Sequence, residues 1–455
     1  MGKSEEEPFG IKSVIDDLKI VIRYKALLIL IFAVFVSMLG FGLVMPFLPI
    51  YASEFGASKT HIGLMLGVFS VVKIVVAPFG GMIADNYGRK PVMVGGMVLY
   101  MVVMALFGLA QTLPELFIYR GGQGAASALV WPIAMTYIGD IVKEEDRGKA
   151  MGLYSMSFAS GNAFGPLIGG VIATYFTLSV PFFFTSGLAA LSGILLFFGV
   201  KESYEGSKEK KSSTERRRVF KSIDLASLGS RISLKKILKL PINTFNWILK
   251  YLGNITPFPR IFLGLTIGSF TVFFGLAMVW SMLSLFGEEV LLLSDIQIAL
   301  VFTLIGTVQF LIMFPAGSLS DRIGRKKLIL SGVAVSAVFS GIIGLSNSFL
   351  ILMVTVGFYT FGRALARPSF PAFVSSLSSI EHRGKMMGVY NFAQNAAFAT
   401  GSFLGGAVAD LLNLRWPFFV AMVVGIGGSF FIAFTVKEPD KASLKELDDL
   451  DRLKN

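Results

Sequence analysis

Gly81-Met-Ile-Ala-Asp85-Asn-Tyr-Gly88-Arg89-Lys90 recurs 236 residues later as Gly317-Ser-Leu-Ser-Asp321-Arg-Ile-Gly324-Arg325-Lys326. Each copy closes one long apolar run and precedes another. The same offset, without a gap, carries Pro132 onto Pro368, Arg147-Gly148-Lys149 onto Arg383-Gly384-Lys385, Tyr154 onto Tyr390, Gly165 onto Gly401 and Gly169-Gly170 onto Gly405-Gly406. One register held from residue 81 to residue 170 marks an internal duplication. The chain therefore reads as two homologous halves, 27–200 and 261–437. A polar linker, 201–260, joins them, with a polar segment over 1–26 and a tail over 438–455.

Apolar residues make up 54% of the 455, 43 of them Phe, and only 15% are charged, in short blocks between apolar segments. A soluble domain has no place for so much apolar surface. Crossing a hydrocarbon core about 30 Å thick takes roughly 20 apolar residues in a helix. Runs of that kind lie near 27–51, 60–84, 91–111, 115–139, 149–175, 180–200, 261–287, 294–319, 328–346, 349–375, 384–410 and 415–436. The expected fold class is all-α integral membrane: twelve transmembrane helices in two pseudo-symmetric six-helix bundles.

Lys and Arg set the orientation. With the N-terminus inside, the external loops hold only Lys59 and Arg415, and the inner loops hold nearly every other basic residue, as the positive-inside rule requires. Both termini are then cytoplasmic in a multi-pass protein of the cell membrane. Residues 201–260 carry fourteen Lys and Arg against five acids, most of the net charge of +12. Basic tracts bind phosphates, but Arg216-Arg217-Arg218 and the lysines at 208–211 lack interleaved aromatic residues, so inner-leaflet lipid explains them more simply than nucleic acid. Residues 232–252, where lysines alternate with Leu, Ile, Phe245 and Trp247, read as an interfacial helix interrupted at Pro241.

The chain has no cysteine, which excludes disulfides and thiol chemistry. His61 and His382 stand apart near run ends and form neither a metal cluster nor a catalytic dyad. No nucleophile–base set or phosphate loop is present; Gly121-Gly122-Gln123-Gly124 lies inside a membrane run and reads as helix packing. No enzyme, cofactor or metal is expected.

The two halves resemble the major facilitator superfamily, and four motifs resemble its twelve-helix drug:proton antiporter branch. Besides the doubled loop, they are Leu39-Gly40 with Pro46 and Pro49 in the first run, and Arg120 with Gln123-Gly124 in the fourth. The last is Gly152, Gly161, Gly165-Pro166 and Gly169-Gly170 in the fifth. The resemblance implies alternating access, with helices one, four, seven and ten lining a central cavity. It implies a gating role for Asp85, Gly88 and Arg89 and for Asp321, Gly324 and Arg325, a latch that shuts the inner side in the outward-facing state. It also implies a coupling role for Arg120. Asn86 replaces the usual basic residue in the first loop, and Ser402 replaces Pro in the second half's copy of the fifth-helix motif.

Each motif also has a physical reading. Asp85, ending the second helix, can bond a neighbouring helix N-terminus, where the dipole favours an anion, while Arg89 and Lys90 face headgroups. A tight turn with positive-inside charge is the alternative. In the fifth helix, Gly161, Gly165 and Gly169 recur every four residues and form a close-packing face, with a bend at Pro166. The fifth helix is expected to pack where the halves meet and to help control their rocking, a gating role for Gly161, Gly165, Pro166 and Gly169.

Ionisable groups inside membrane helices are expensive and usually serve a purpose. Lys73, Arg120, Arg363 and Arg367 lie within runs, whereas Glu54, Glu115, Asp140, Glu288, Glu289, Asp295 and Asp410 fall at or beyond run ends. At about 1.5 Å per residue, Arg363 is roughly 20 Å from the outer end of the tenth helix, and Lys73 is similarly deep in the second. Arg363 and Arg367, four apart, share a face that can grip an anion; alternatively Arg367 snorkels inward and Arg363 bonds carbonyls at a helix broken near Pro368. Lys73 lines either a substrate site or a water-filled crevice. Arg120 is close enough to the outer end to snorkel. Gln309 and Asn391 add neutral hydrogen bonds, and Phe41, Phe270, Phe273, Phe274 and Met278 either wall an adaptable cavity or pack helices.

Exchange of a cationic drug for a proton calls for a carboxylate at mid-depth, and no run has one. The expectation is a monomeric secondary transporter exporting amphipathic or anionic organic molecules, or lipid-like compounds. If protons are exchanged, Arg120 and an edge acid, Glu54 or Asp140, are the coupling candidates. An anion uptake or exchange carrier of the same fold, and a non-transporting receptor or scaffold, are the rivals.

Overall fold

The computed structural model describes residues 23–203, 256, 258–377 and 380–437. The interfacial helix expected at 232–252, most of the basic linker, most of the N-terminal segment and the tail lie outside the described residues. Twelve long helices are described: α1 (Lys25–Val44), α2 (Lys59–Tyr87), α3 (Arg89–Gly108), α4 (Leu113–Ile141), α5 (Glu144–Tyr175), α6 (Val180–Gly199), α7 (Pro259–Leu285), α8 (Asp295–Ile323), α9 (Arg325–Leu345), α10 (Phe349–Ala366), α11 (Ile380–Leu411) and α12 (Trp416–Thr435). A short helix, Leu48–Glu54, continues α1 beyond a turn, and another, Ser369–Ser376, continues α10. A π-helical turn, Phe286–Val290, ends α7.

The duplication extends to the helix ends. Ser58 and Ser294, 236 residues apart, cap α2 and α8 with reciprocal capping boxes to His61 and Gln297, which satisfies N–H groups that a helix start leaves unpaired. At the other ends, Gly88 and Gly324 adopt φ of 104° and 103°, a region that favours glycine. Their N–H groups bond Ala84 O and Ser320 O at 3.0 and 3.1 Å. The repeated loop is thus a glycine stop followed directly by the next helix.

Proline acts unequally in the two halves. Pro132 lies inside an unbroken α4, whereas α10 ends at Ala366, just before Pro368. The tenth run therefore breaks, as one of its two sequence readings had it.

Ten of the twelve described helices are long and apolar enough to cross a membrane on their own composition; α4 and α11 are the exceptions. Their polar residues, Arg120 and Gln123 in α4 and Asn391, Gln394 and Asn395 in α11, lie in helices that pack among the others. Phe198, Phe434 and Leu411 are about four-fifths exposed, the outward apolar surface of a protein that meets lipid. The chain is a multi-pass membrane protein.

Helices α1–α6 pack together, as do α7–α12. The two bundles meet along two seams, α2 against α11 and α5 against α8. Both seams are tightest at the end opposite the repeated loops, called here the far end. There Gly63 meets the backbone of Ser402, Gly67 that of Ala399, Gly170 meets Ala299, and Gly306 meets Ala163. From mid-helix toward the loop end, Val71 and Val75 of α2 and Phe392 of α11 are exposed. The space between the bundles therefore opens toward the loop end and is shut at the far end.

Candidate functional site

The fifth helix packs where the halves meet, α5 against α8, but its glycines spaced by four face α1. A Cβ built on Gly161 would lie 2.7 Å from Phe35 O, and one on Gly165 would lie 2.5 Å from Leu39 O. Gly169 faces Leu43, and Pro166 faces Gly42. All four partners belong to α1, so these four positions of the motif bind α5 to α1 within the first bundle. Gly170 and Ala163, on another side of α5, make the contact with α8.

At the loop end, Arg89 donates to Asp85 at 3.1 Å and to Asp140. Glu202 accepts the N–H groups of Arg89 and Lys90 at 2.9 and 3.1 Å, so an anion occupies the start of α3 where the dipole favours one. In the second loop, Arg325 donates to Ala372 O at 2.7 Å. The side chain of Asp321 lies outside the described residues. In this state Asp85 is held by Arg89 within its own bundle.

Arg120 does not snorkel. It is 1% exposed, its guanidinium donates to Gln123 and lies 3.9 Å from Met45 Sδ, and Gln123 donates to Tyr100 OH at 3.2 Å. Five residues past Glu115 was close enough in sequence, but the polar partner and the aromatic face lie inward. Glu54 is exposed at the far end, and Asp140 is bound to Arg89 at the loop end. The three coupling candidates are therefore not brought together.

Lys73 is half-buried on α2, with Nζ 5.8 Å from the Phe69 ring centroid and 5.6 Å from that of Trp131. The rings continue across four helices: Phe41 of α1 is 6.4 Å from Phe69 and 5.7 Å from Trp131, and Trp131 is 6.0 Å from Phe158 of α5. Trp131 Nε1, buried, has no hydrogen-bond partner. None of the described carboxylates is buried, and none pairs with Lys73. An ammonium over aromatic faces is favourable, but here it has no counter-anion.

Under the repeat offset, Lys73 corresponds to Gln309 and Trp131 to Arg367. Each bundle thus carries its cation at a position where the other has a neutral residue. Arg367 is exposed just past the end of α10, within electrostatic reach of Arg363 and of Tyr390. Arg363 is half-buried, 5.5 Å from the Tyr359 ring centroid, and lines a crevice with Thr271, Ser336 and Ser340 between α7, α9, α10 and α12. Gln309 is half-buried and Asn391 exposed. Of the residues named from sequence as cavity wall, Phe41 joins the ring cluster, Phe270 stacks on Phe274 at 6.2 Å, and Met278 is fully buried in the core. Phe69, Trp131 and Phe158 were missed; the repeat register at Trp131, opposite an arginine, was the available signal.

The family model of the Major Facilitator Superfamily matches residues 30–263 and 265–453. Multidrug resistance protein 2 of Bacillus subtilis (strain 168) is 27% identical over 421 residues, covering 92% of this chain and 97% of that protein. Quinolone resistance protein NorA of Staphylococcus aureus is 24% identical over 429 residues, covering 93% of this chain and 99% of that protein. Among solved structures, a POT family transporter in complex with 5-aminolevulinic acid superposes with a TM-score of 0.73 at 17% identity, covering 90% of this chain and 96% of that one. A D-xylose-proton symporter superposes with a TM-score of 0.69 at 17% identity, covering 91% and 98%. Doubled loops, paired bundles and a match over nearly the whole chain agree: the protein is a transporter of the Major Facilitator Superfamily.

Proposed function

We propose that this transporter exports amphipathic organic molecules, with a preference for those that carry a negative charge. The observation that carries the reading is Lys73, set among Phe69, Trp131, Phe41 and Phe158 without a carboxylate in reach. An apolar body stacks on such rings, and an anionic head completes the ammonium, whereas a cationic head would meet like charge. Arg367 of the second bundle, exposed just past the end of α10, adds positive potential at the same end of the molecule. Export is the direction supported by the multidrug and quinolone resistance proteins to which the chain is similar. With the loop end cytoplasmic, as its basic residues argue, the structure corresponds to an inward-facing state that loads cargo from the inside of the plasma membrane. The protein works as a monomer, since one chain supplies both bundles, and protons drive the exchange.

Purified protein reconstituted into vesicles tests this reading. A fluorescent amphipathic anion is expected to move faster than a cation of matched size, with movement accelerated by a proton gradient and reduced by Lys73→Met. Faster movement of the cation, or anion movement indifferent to Lys73→Met, rejects the substrate class.

A further inference from the structure

The far end holds a contact between the bundles that no motif announced. Asp410, in the last turn of α11, accepts the backbone N–H of Lys59 at 3.1 Å and that of Thr60 at 2.7 Å. These are the first two residues of α2. Ser58 Oγ already serves His61 N–H, so the carboxylate takes the start-of-helix donors that the capping box leaves over. Lys59 also reaches the second bundle through its side chain, with Nζ 3.0 Å from Glu289 Oε2. Just below, Gly63 and Gly67 press on the backbone of α11, and Gly406 presses on Lys59. The first turn of α2 is therefore held by the other bundle through a charged cap, an ion pair and direct backbone packing.

Helices α2 and α11 lie side by side and run in opposite directions, and each carries an aspartate near its own C-terminal end: Asp85 at the loop end and Asp410 at the far end. The Asp410 end lies beside the N-terminus of α2. Asp85 is turned to Arg89, and the seam on its side is open. Asp410 is engaged, and the seam on its side is shut. We propose that Asp410 is the far-end latch of the transport cycle: its carboxylate on the first turn of α2 holds the state that opens toward the loops, and it must leave α2 before the far end can open. Lys59 and Glu289 position that turn against the second bundle. The latch rests on the alternating-access reading above. It adds a specific residue pair at the end of the molecule away from the repeated loops.

The absence of cysteine makes single reporters simple to place. Ser402→Cys reports the far end, where Ser402 is fully buried in the seam. Gly388→Cys reports the loop end, where a Cβ meets nothing within 4 Å. Maleimide labelling of full-length protein in nanodiscs is expected to rise about tenfold at the Ser402→Cys reporter on adding Asp410→Asn, the scale for losing a charge-assisted hydrogen bond of about 1.4 kcal/mol. Labelling at the Gly388→Cys reporter falls in the same variant, and Asp410→Glu restores both. Thr60→Pro removes one of the two donors without touching Asp410 and is tolerated in a first helical turn, so it is expected to shift both reporters the same way even if Asp410→Asn does not fold. Gly406→Leu wedges the far end open by bulk alone. Labelling that rises at both reporters means general loosening and overturns the latch. If Gly406→Leu opens the far end while Asp410→Asn and Thr60→Pro do not, the latch falls and alternating access stands. If no variant moves either reporter, both fall.

Discussion

The guanidinium carbon of Arg120 lies 4.7 Å from the centroid of the Phe69 ring. Phe69 also faces Lys73, so one ring separates two cations, one locked in the bundle and one open to the cavity. Arg120 uses its flat face on the ring and its edge on Gln123, a geometry that an ammonium does not reproduce.

Arg120→Lys is therefore expected to lower stability by about 1–2 kcal/mol, the sum of a buried cation–π contact and a buried hydrogen bond. The measurement is thermal unfolding in detergent. An unchanged Tm would show that the charge alone, without the fork, suffices.

The Lys73 cage makes a sharper functional distinction. Lys73→Met keeps the volume and the apolar contacts and removes the charge. Transport of an anionic amphipath is expected to fall about tenfold, the equivalent of a charge-assisted contact of about 1.4 kcal/mol, while transport of its neutral ester stays within a factor of two or so. An equal loss for both compounds would place Lys73 in the machinery of movement rather than in recognition.

Much of this architecture is legible in the sequence because it is written in local signals. The doubled loop needs glycine at positive φ, and Gly88 and Gly324 have it; the caps at Ser58 and Ser294 recur at the same offset. The lack of a mid-depth carboxylate is a matter of counting. What depends on tertiary contact is not legible. Arg120 finds Met45, just past α1, and Phe69 of α2 besides Gln123 on its own helix, and Asp410 finds α2 across 350 residues. The α5 glycines are readable as a packing face, but the helix they pack on is not: small residues allow a close approach without naming the partner. Pro132 and Pro368 remove the same donor, yet only the second breaks its helix, because neighbouring helices decide whether a freed carbonyl is met again.

The α5 motif offers a prediction of opposite signs within one row of glycines. At Gly165 a Cβ would press on the α1 backbone at Leu39 and Leu43, whereas at Gly152 it meets nothing within 4 Å. Gly165→Ala is expected to destabilise by about 1–3 kcal/mol through overpacking against backbone that has no rotamer to change. Gly152→Ala is expected to stabilise by about 0.5–1 kcal/mol through helix propensity alone. Unfolding curves of the two variants in one detergent decide it; losses of equal size would mean that the motif's positions act through something other than local space.

The loop-end glycine and its anion can be separated by a double-mutant cycle. Gly88 holds φ at 104°, and a Cβ there would collide with the Glu202 carboxylate, which caps the start of α3 through Arg89 and Lys90 N–H. Glu202→Gln keeps the size and removes the charge, so it is expected to cost about 0.5–1 kcal/mol from the lost anion at a helix N-terminus. Gly88→Ala strains the backbone by about 1–3 kcal/mol and also pushes the carboxylate off its donors. If the collision displaces Glu202, the effect of Glu202→Gln is already spent in the Gly88→Ala background, and the double variant is no less stable than Gly88→Ala alone. Full additivity of the two losses would show that Glu202 stays on α3 while the turn itself gives way.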